Sequence, residues 1–221
     1  GYDDVCKLFT VEELNHFWCG MKFVTAQYAE TPLLLACEIG NLKIVHCFIQ
    51  SGVEVNRANK NGATPLYVAC FHGHDKVVKY LVTVGAEINR TDNNGLTPLY
   101  IASEMGYEEV VKYLMTVGAD INHATNEGWT PIHVASFDGH QKIVKYLVTV
   151  GADINRANNS GLTPLYVASE NGNERVVEYL VTVGAEINRA NKNGSTPHYG
   201  ASDNGQQKVV EDMEKIGAEI N

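Results

Sequence analysis

The dipeptide Thr-Pro returns at residues 31, 64, 97, 130, 163 and 196, always 33 residues apart, and consumes all six prolines of the 221-residue chain. Most of the 20 glycines keep the same period, in three series that begin at Gly40, Gly52 and Gly62. A period between about 20 and 50 residues means stacked copies of one supersecondary unit. The chain must therefore build its core between copies rather than inside any one of them.

The letters of one copy, NKNGATPLYVACFHGHDKVVKYLVTVGAEINRA from Asn59 onward, prescribe its structure. Asn59 and Gly62 suit the first and fourth positions of a type I turn. Thr64 can cap a helix whose first residue is Pro65, where a missing N–H costs nothing. Leu66, Val68 and Ala69 form the apolar side of a short helix that stops at Gly73. A second helix is predicted from Asp75, with Val77, Val78, Leu81 and Val82 at helical spacing and Gly85 just beyond its end. Helices this short cannot bury both faces alone, so each pair must lean on its neighbours, and the fold class is all-α.

The consensus G-x-TPLY-x-A-x-x-GH-x-x-VV-x-x-L-x-x-x-GA-x-IN resembles the ankyrin repeat. The resemblance covers residues 26–221 in six units: 26–58, 59–91, 92–124, 125–157, 158–190 and 191–221. It implies an ankyrin-repeat solenoid of helix-turn-helix units with β-hairpin-like fingers, a family whose usual work is binding other proteins through the fingers and the concave face of the first helices. The Tyr series Tyr67, Tyr100, Tyr166 and Tyr199, with His133 in the same register, departs from the family's usual TPLH histidine. Tyr adds apolar area while retaining a hydroxyl.

The stretch CFHGHDKVV, Cys70 to Val78, gathers one thiol and two imidazoles and invites a metal reading. Its counterparts are CEIGNLKIV, SEMGYEEVV, SFDGHQKIV, SENGNERVV and SDNGQQKVV. Cys70 thus fills a slot for a small side chain, and His74 shares its register with Asn41, Tyr107, His140, Asn173 and Gln206. His74 and His140 stand two units apart, roughly 20 Å at ordinary helix spacing. No fourth ligand falls nearby. No metal and no cofactor are expected. His46 and Cys47, adjacent on a helix, point in different directions.

The ends depart from the repeat. Residues 1–25 contain FTVEELNHFW, in which Thr10 and Glu13 make a capping box and Leu14, Phe17 and Trp18 an apolar stripe. This is read as an N-terminal helical cap, the alternative being a partner-docking helix. The last unit, with His198 and Gly200 at apolar positions and Asp212, Glu214 and Lys215 in its second helix, reads as a solvent-facing cap.

A formal charge of −9 argues against broad attraction to phosphate backbones, so no nucleic acid is expected. No apolar run is long enough for membrane insertion. The five cysteines, Cys6, Cys19, Cys37, Cys47 and Cys70, are odd in number and lack C-x-x-C spacing. They are expected as reduced thiols in an intracellular protein, cytoplasmic or nuclear. The chain contains no G-x-S-x-G, H-E-x-x-H, P-loop or G-x-G-x-x-G motif, and no enzyme is expected.

Positions that vary between such similar copies are released from packing and mark a candidate partner surface. They are the finger tips and the ends of the first helices, and the candidates are Phe71, His72, Leu96, Glu104, Met105, Glu127, Trp129, Phe137, Asp138, Leu162 and Glu170. Aromatic residues set among acids have the composition of a protein-binding hot spot. The expected partner is another protein, held by a monomeric adaptor. The alternative is a structural scaffold that self-associates, as a homodimer, or spaces neighbouring domains. Two further rows read as structural: the cations Arg57, Arg90, His123, Arg156 and Arg189, offset by nearby acids, and the asparagines Asn56, Asn89, Asn122, Asn155, Asn188 and Asn221.

Overall fold

The computed structural model describes residues 31–217, which form twelve helices in six pairs. The expected cap over residues 1–25 and Asn221 of the asparagine row lie outside the described residues. The chain divides into two compact units between Ala119 and Asp120.

The first unit contains three helix pairs. These are α1 (Pro32–Ile39) with α2 (Leu42–Gln50), α3 (Pro65–Phe71) with α4 (Asp75–Thr83), and α5 (Pro98–Glu104) with α6 (Glu108–Thr116). The first helices pack in the order α1, α3, α5, and the second helices in the order α2, α4, α6. The second unit repeats this plan with α7 (Pro131–Phe137) and α8 (Gln141–Thr149), α9 (Pro164–Glu170) and α10 (Glu174–Thr182), and α11 (Pro197–Asp203) and α12 (Gln207–Lys215). Here α9 packs between α7 and α11, and α10 between α8 and α12.

Helices of seven to nine residues are too short to persist on propensity alone, so burial must hold them. The first helices are buried almost throughout: Pro65 to Cys70 have no exposed member. The second helices bury one side only, as Val77, Val78 and Leu81 do in α4. Each first helix begins as the Thr-Pro pattern requires. Thr64 Oγ1 accepts from the Tyr67 amide at 3.2 Å, Thr97 from Tyr100 at 3.1 Å and Thr163 from Tyr166 at 3.2 Å.

All seventeen periodic glycines adopt positive φ. Gly62 shows why nothing larger is used: at φ +83, a Cβ would lie 2.7 Å from Asn93 Oδ1 and 2.8 Å from its amide. The fingers are tight turns rather than a β-ladder, and no strand occurs among the described residues. Asn59 Oδ1 accepts from the amides of Asn61 and Ala63, at 2.9 and 3.0 Å. Successive fingers are linked by Asn93 to the carbonyls of Asn61 and Lys60 in the first unit, and by Asn159 to those of Glu127 and Asn126 in the second.

The asparagine row ties each copy to the next. Asn56 donates to the Gly85 carbonyl at 3.1 Å and accepts from the Glu87 amide at 2.9 Å. Asn155 accepts from the Glu186 amide at 2.9 Å. The cation row is engaged locally, with Arg90 on Glu87 at 3.5 Å, Arg189 on Glu186 at 3.2 Å and His123 beside Asp120 at 3.8 Å. Arg156 instead donates to the Asn122 carbonyl at 3.1 Å.

The last copy differs from the expected solvent-facing cap. Glu214 and Lys215 are exposed, but His198 and Gly200 are buried. Tyr166, from the preceding copy, fills the space that a side chain at Gly200 would need. Cys37 and Cys70 are free and buried, in keeping with reduced thiols, but Cys47 departs from that expectation and is disulfide-bonded. An odd cysteine count without paired spacing does not exclude a disulfide. No helix among the described residues is long and apolar enough to cross a membrane.

Candidate protein-binding surface

The residue after the inter-helix glycine sits where it can brace the copy before it. His74 Nε2 donates to the Glu38 carbonyl at 2.9 Å. Asn173 donates to the carbonyls of Ser136 and Phe137 at 2.8 and 2.7 Å, and Gln206 to that of Glu170 at 3.4 Å. The last carbonyls of a helix lack intrahelical partners, so this side chain satisfies them from outside. His74 is a brace, and its ring stacks on His72 with centroids 5.9 Å apart. Burial pushes the Cys70 thiol far above its usual range.

His133 explains the exception in the tyrosine register. Its Nδ1 accepts from the Thr130 amide at 3.2 Å and lies 2.7 Å from the Thr130 hydroxyl, which leaves Nε2 to donate to the Leu162 carbonyl at 3.1 Å. Both ring nitrogens are thus engaged in a wholly buried site. Desolvation lowers the imidazole to about 4 against smaller opposing effects from its hydrogen bonds, so the ring is neutral. Tyr67, Tyr100 and Tyr166 fill the equivalent slots as buried rings, while Tyr199 is 43% exposed.

In the first unit, the surface candidates gather at the ends of α3 and α5. Phe71 and His72 meet edge to face, with centroids 4.9 Å apart. Burial holds His72 below the ordinary imidazole range, while Glu38 opposes that effect and His74 adds to it. Glu104 ends α5, Met105 follows it, and both are half-buried, as is Leu96 in the finger before α5.

In the second unit, α7 and the finger before it bring Trp129 and Phe137 together. Their rings meet nearly perpendicular, at 81°, with centroids 5.8 Å apart. Trp129 also lies 5.8 Å from the His133 ring. Trp129 is half-buried, but Phe137 is 41% exposed, the only aromatic candidate with so open a ring. Edge-to-face pairs add about 0.5–1.5 kcal/mol beyond burial, so Trp129 holds Phe137 in place while leaving it accessible. Glu127 and Asp138 are exposed beside them. Partial burial raises the Asp138 carboxyl, and His140 works against that shift. Leu162 is half-buried, and its carbonyl is the acceptor for His133.

Glu170 ends α9, and in the same register Asp203 ends α11. Asp203 shares the register of Phe137 and Glu170, and Tyr199 that of His133 and Tyr166; neither is among the candidates drawn from the sequence, although Asp203 is one of the helix ends that vary between copies. The two acids influence Tyr166. Burial is the main cause of its raised phenol pKa, and Glu170 and Asp203 add to it.

This arrangement offers an aromatic notch, exposed carboxylates and rigid backing. Among the described residues no group of three or more His, Cys, Asp or Glu is placed to hold a metal ion. A search of curated proteins finds no match to this chain. A family model described as ankyrin repeats in three copies matches residues 1–92, 84–158 and 155–221. With the paired helices, the Thr-Pro caps and the glycine turns all in place, the chain belongs to the ankyrin-repeat family.

Proposed function

We propose that this chain is a non-catalytic adaptor that holds a partner protein on the finger tips and first-helix ends of its units. Ankyrin repeats are in general protein–protein interaction modules and are typically non-catalytic. The contact sets are Phe71, His72, Leu96, Glu104 and Met105 in the first unit, and Glu127, Trp129, Phe137, Asp138, Leu162 and Glu170 in the second. One observation carries the reading: Phe137 leaves 41% of its surface in solvent although its neighbour Trp129 fixes its ring edge to face. An apolar ring held rigid and open loses little freedom on docking, so its contacts convert efficiently into affinity.

Affinity capture from the native cell, run in parallel with the unaltered chain and with a Trp129→Ala/Phe137→Ala variant, tests the proposal. A partner recovered by the first and lost by the second supports it. A partner recovered equally by both removes these rings from the site. Concentration-dependent sedimentation separates the competing scaffold reading, for which self-association abolished by Phe71→Ala or Trp129→Ala is the signature.

A further inference from the structure

The first helices are free of cations: none of α1, α3, α5, α7, α9 and α11 contains Lys or Arg, whereas α2, α4, α6, α8, α10 and α12 all do. In the second unit, the last positions of α7, α9 and α11 are Phe137, Glu170 and Asp203. Packed helices lie about 8–10 Å apart, so one aromatic ring and two carboxylates recur at that interval along a row.

The two acids are placed where stability does not want them. A carboxylate at a helix C-terminus opposes the macrodipole, and α9 and α11 have no basic residue in the last turn. Some other acids of the same unit are matched, as Asp212 is by Lys208 at 2.8 Å and Lys215 at 3.0 Å, and Glu186 by Arg189. Among the described residues no ion pair engages the side chain of Glu170 or Asp203. Each stands one helical turn from a tyrosine of its own helix, Tyr166 before Glu170 and Tyr199 before Asp203. The ring of Tyr199 is 43% exposed. At Asp203 a carboxylate one turn from this open phenol ring suits a cation, by charge and by attraction to the ring face, whereas Glu170, beside the buried Tyr166, offers charge alone.

We infer that the row Phe137, Glu170, Asp203 docks an extended basic segment of the partner protein, with an apolar residue on Phe137 and Lys or Arg at the third and sixth positions after it. In the polyproline II form an extended chain advances about 3.1 Å per residue with three residues per turn, so residues three apart share one face and span about one helix-to-helix step. The apolar anchor meets the Trp129–Phe137 notch, and the two cations meet Glu170 and Asp203. This rests on the reading of the surface as a protein-binding site, and adds the charge and spacing of what it binds.

The test uses three synthetic peptides that differ only at the third and sixth positions after a Phe anchor, carrying Arg, Gln or Glu there, titrated calorimetrically into the full chain. The Arg peptide should bind about tenfold or more tighter than the Gln peptide. That margin should vanish in Glu170→Gln/Asp203→Asn and survive in Glu174→Gln/Glu178→Gln, which removes two exposed carboxylates from α10. Moving the two Arg residues one position toward the anchor should erase most of the gain. Equal binding of the three peptides, preference for Glu, an equal loss in the α10 variant, or indifference to spacing each overturns the inference. If the charge rule fails in any of these ways while Trp129→Ala/Phe137→Ala still abolishes capture of the native partner, the binding reading stands without it.

Discussion

Tyr166 lies over Gly200, so that a Cβ built on the glycine would stand 3.1 Å from the ring Cζ and 3.2 Å from the hydroxyl oxygen. The other copies carry Val or Ile at this position, so Gly200→Val restores the repeat pattern yet should destabilise the chain. Overpacking a filled site costs about 1–3 kcal/mol. Denaturant unfolding of Gly200→Val, Tyr166→Leu and the double variant should give a coupling that offsets much of that loss. Additive effects would show that the two residues do not compete for the same space.

His133 makes stability depend on pH. Its folded pKa, about 4, lies below the ordinary imidazole value near 6.5. The folded state therefore favours the neutral ring, and protonation favours the unfolded chain. Its contribution is complete above about pH 6.5 and is lost as the pH falls toward 4, a change of about 3 kcal/mol at most. Tyr occupies this register in four other copies, so His133→Tyr should flatten that part of the acid limb. Equal slopes in the two proteins between pH 6.5 and 4 would contradict the assignment.

The inter-copy braces should differ in strength. Asn173 makes two bonds of 2.8 and 2.7 Å, and Gln206 one of 3.4 Å. Asn173→Ala leaves two helix-end carbonyls short of a partner and should cost about 1–2 kcal/mol. Gln206→Ala should cost less than half of that, and thermal unfolding of the pair measures the difference.

Cys37 and Cys70 are free, buried and pushed toward the unreactive thiol. Alkylation followed by mass spectrometry should modify both about a hundredfold or more slower in the native protein than in denaturant, because reaction requires local opening. Native labelling of Cys70 at the denatured rate would place it outside the core.

Phe137 separates binding from folding. Phe137→Ala gives up the buried part of the ring and its contact with Trp129, so it should cost about 1–3 kcal/mol while the chain still unfolds cooperatively. A large loss of partner affinity in a variant that is still folded at the assay temperature would then report on the surface alone.

What could be read in advance was the chemistry that depends on neighbouring residues. Thr64 capping Tyr67, Pro65 opening the helix and Gly62 at positive φ all follow from a few consecutive letters, repeated often enough to remove ambiguity. What could not be read depends on residues about one copy away. Gly200 looks like an exposed gap until Tyr166, 34 positions earlier, is seen to occupy it. His74 reads as structural by register, but its acceptor, the Glu38 carbonyl, is a main-chain group that no side-chain pattern reveals. Trp129 and Phe137 were each marked by variation between copies. Their contact could not be, because it depends on the path of the finger into α7. Asp203 varies between copies like the other helix ends, but the polar character of the last copy gives no reason in the sequence to set it beside the aromatic candidates.

Asn173 and Gln206 occupy one place in successive copies and clasp carbonyls that recur at the same interval, which gives the second unit an approximate translational symmetry. Excision of residues 158–190 would carry Gln206 to the oxygens of Ser136 and Phe137 and leave a shorter array whose clasps still close. Length is therefore nearly a free parameter of this architecture, since a whole rung can be added or removed while the joinery between rungs survives.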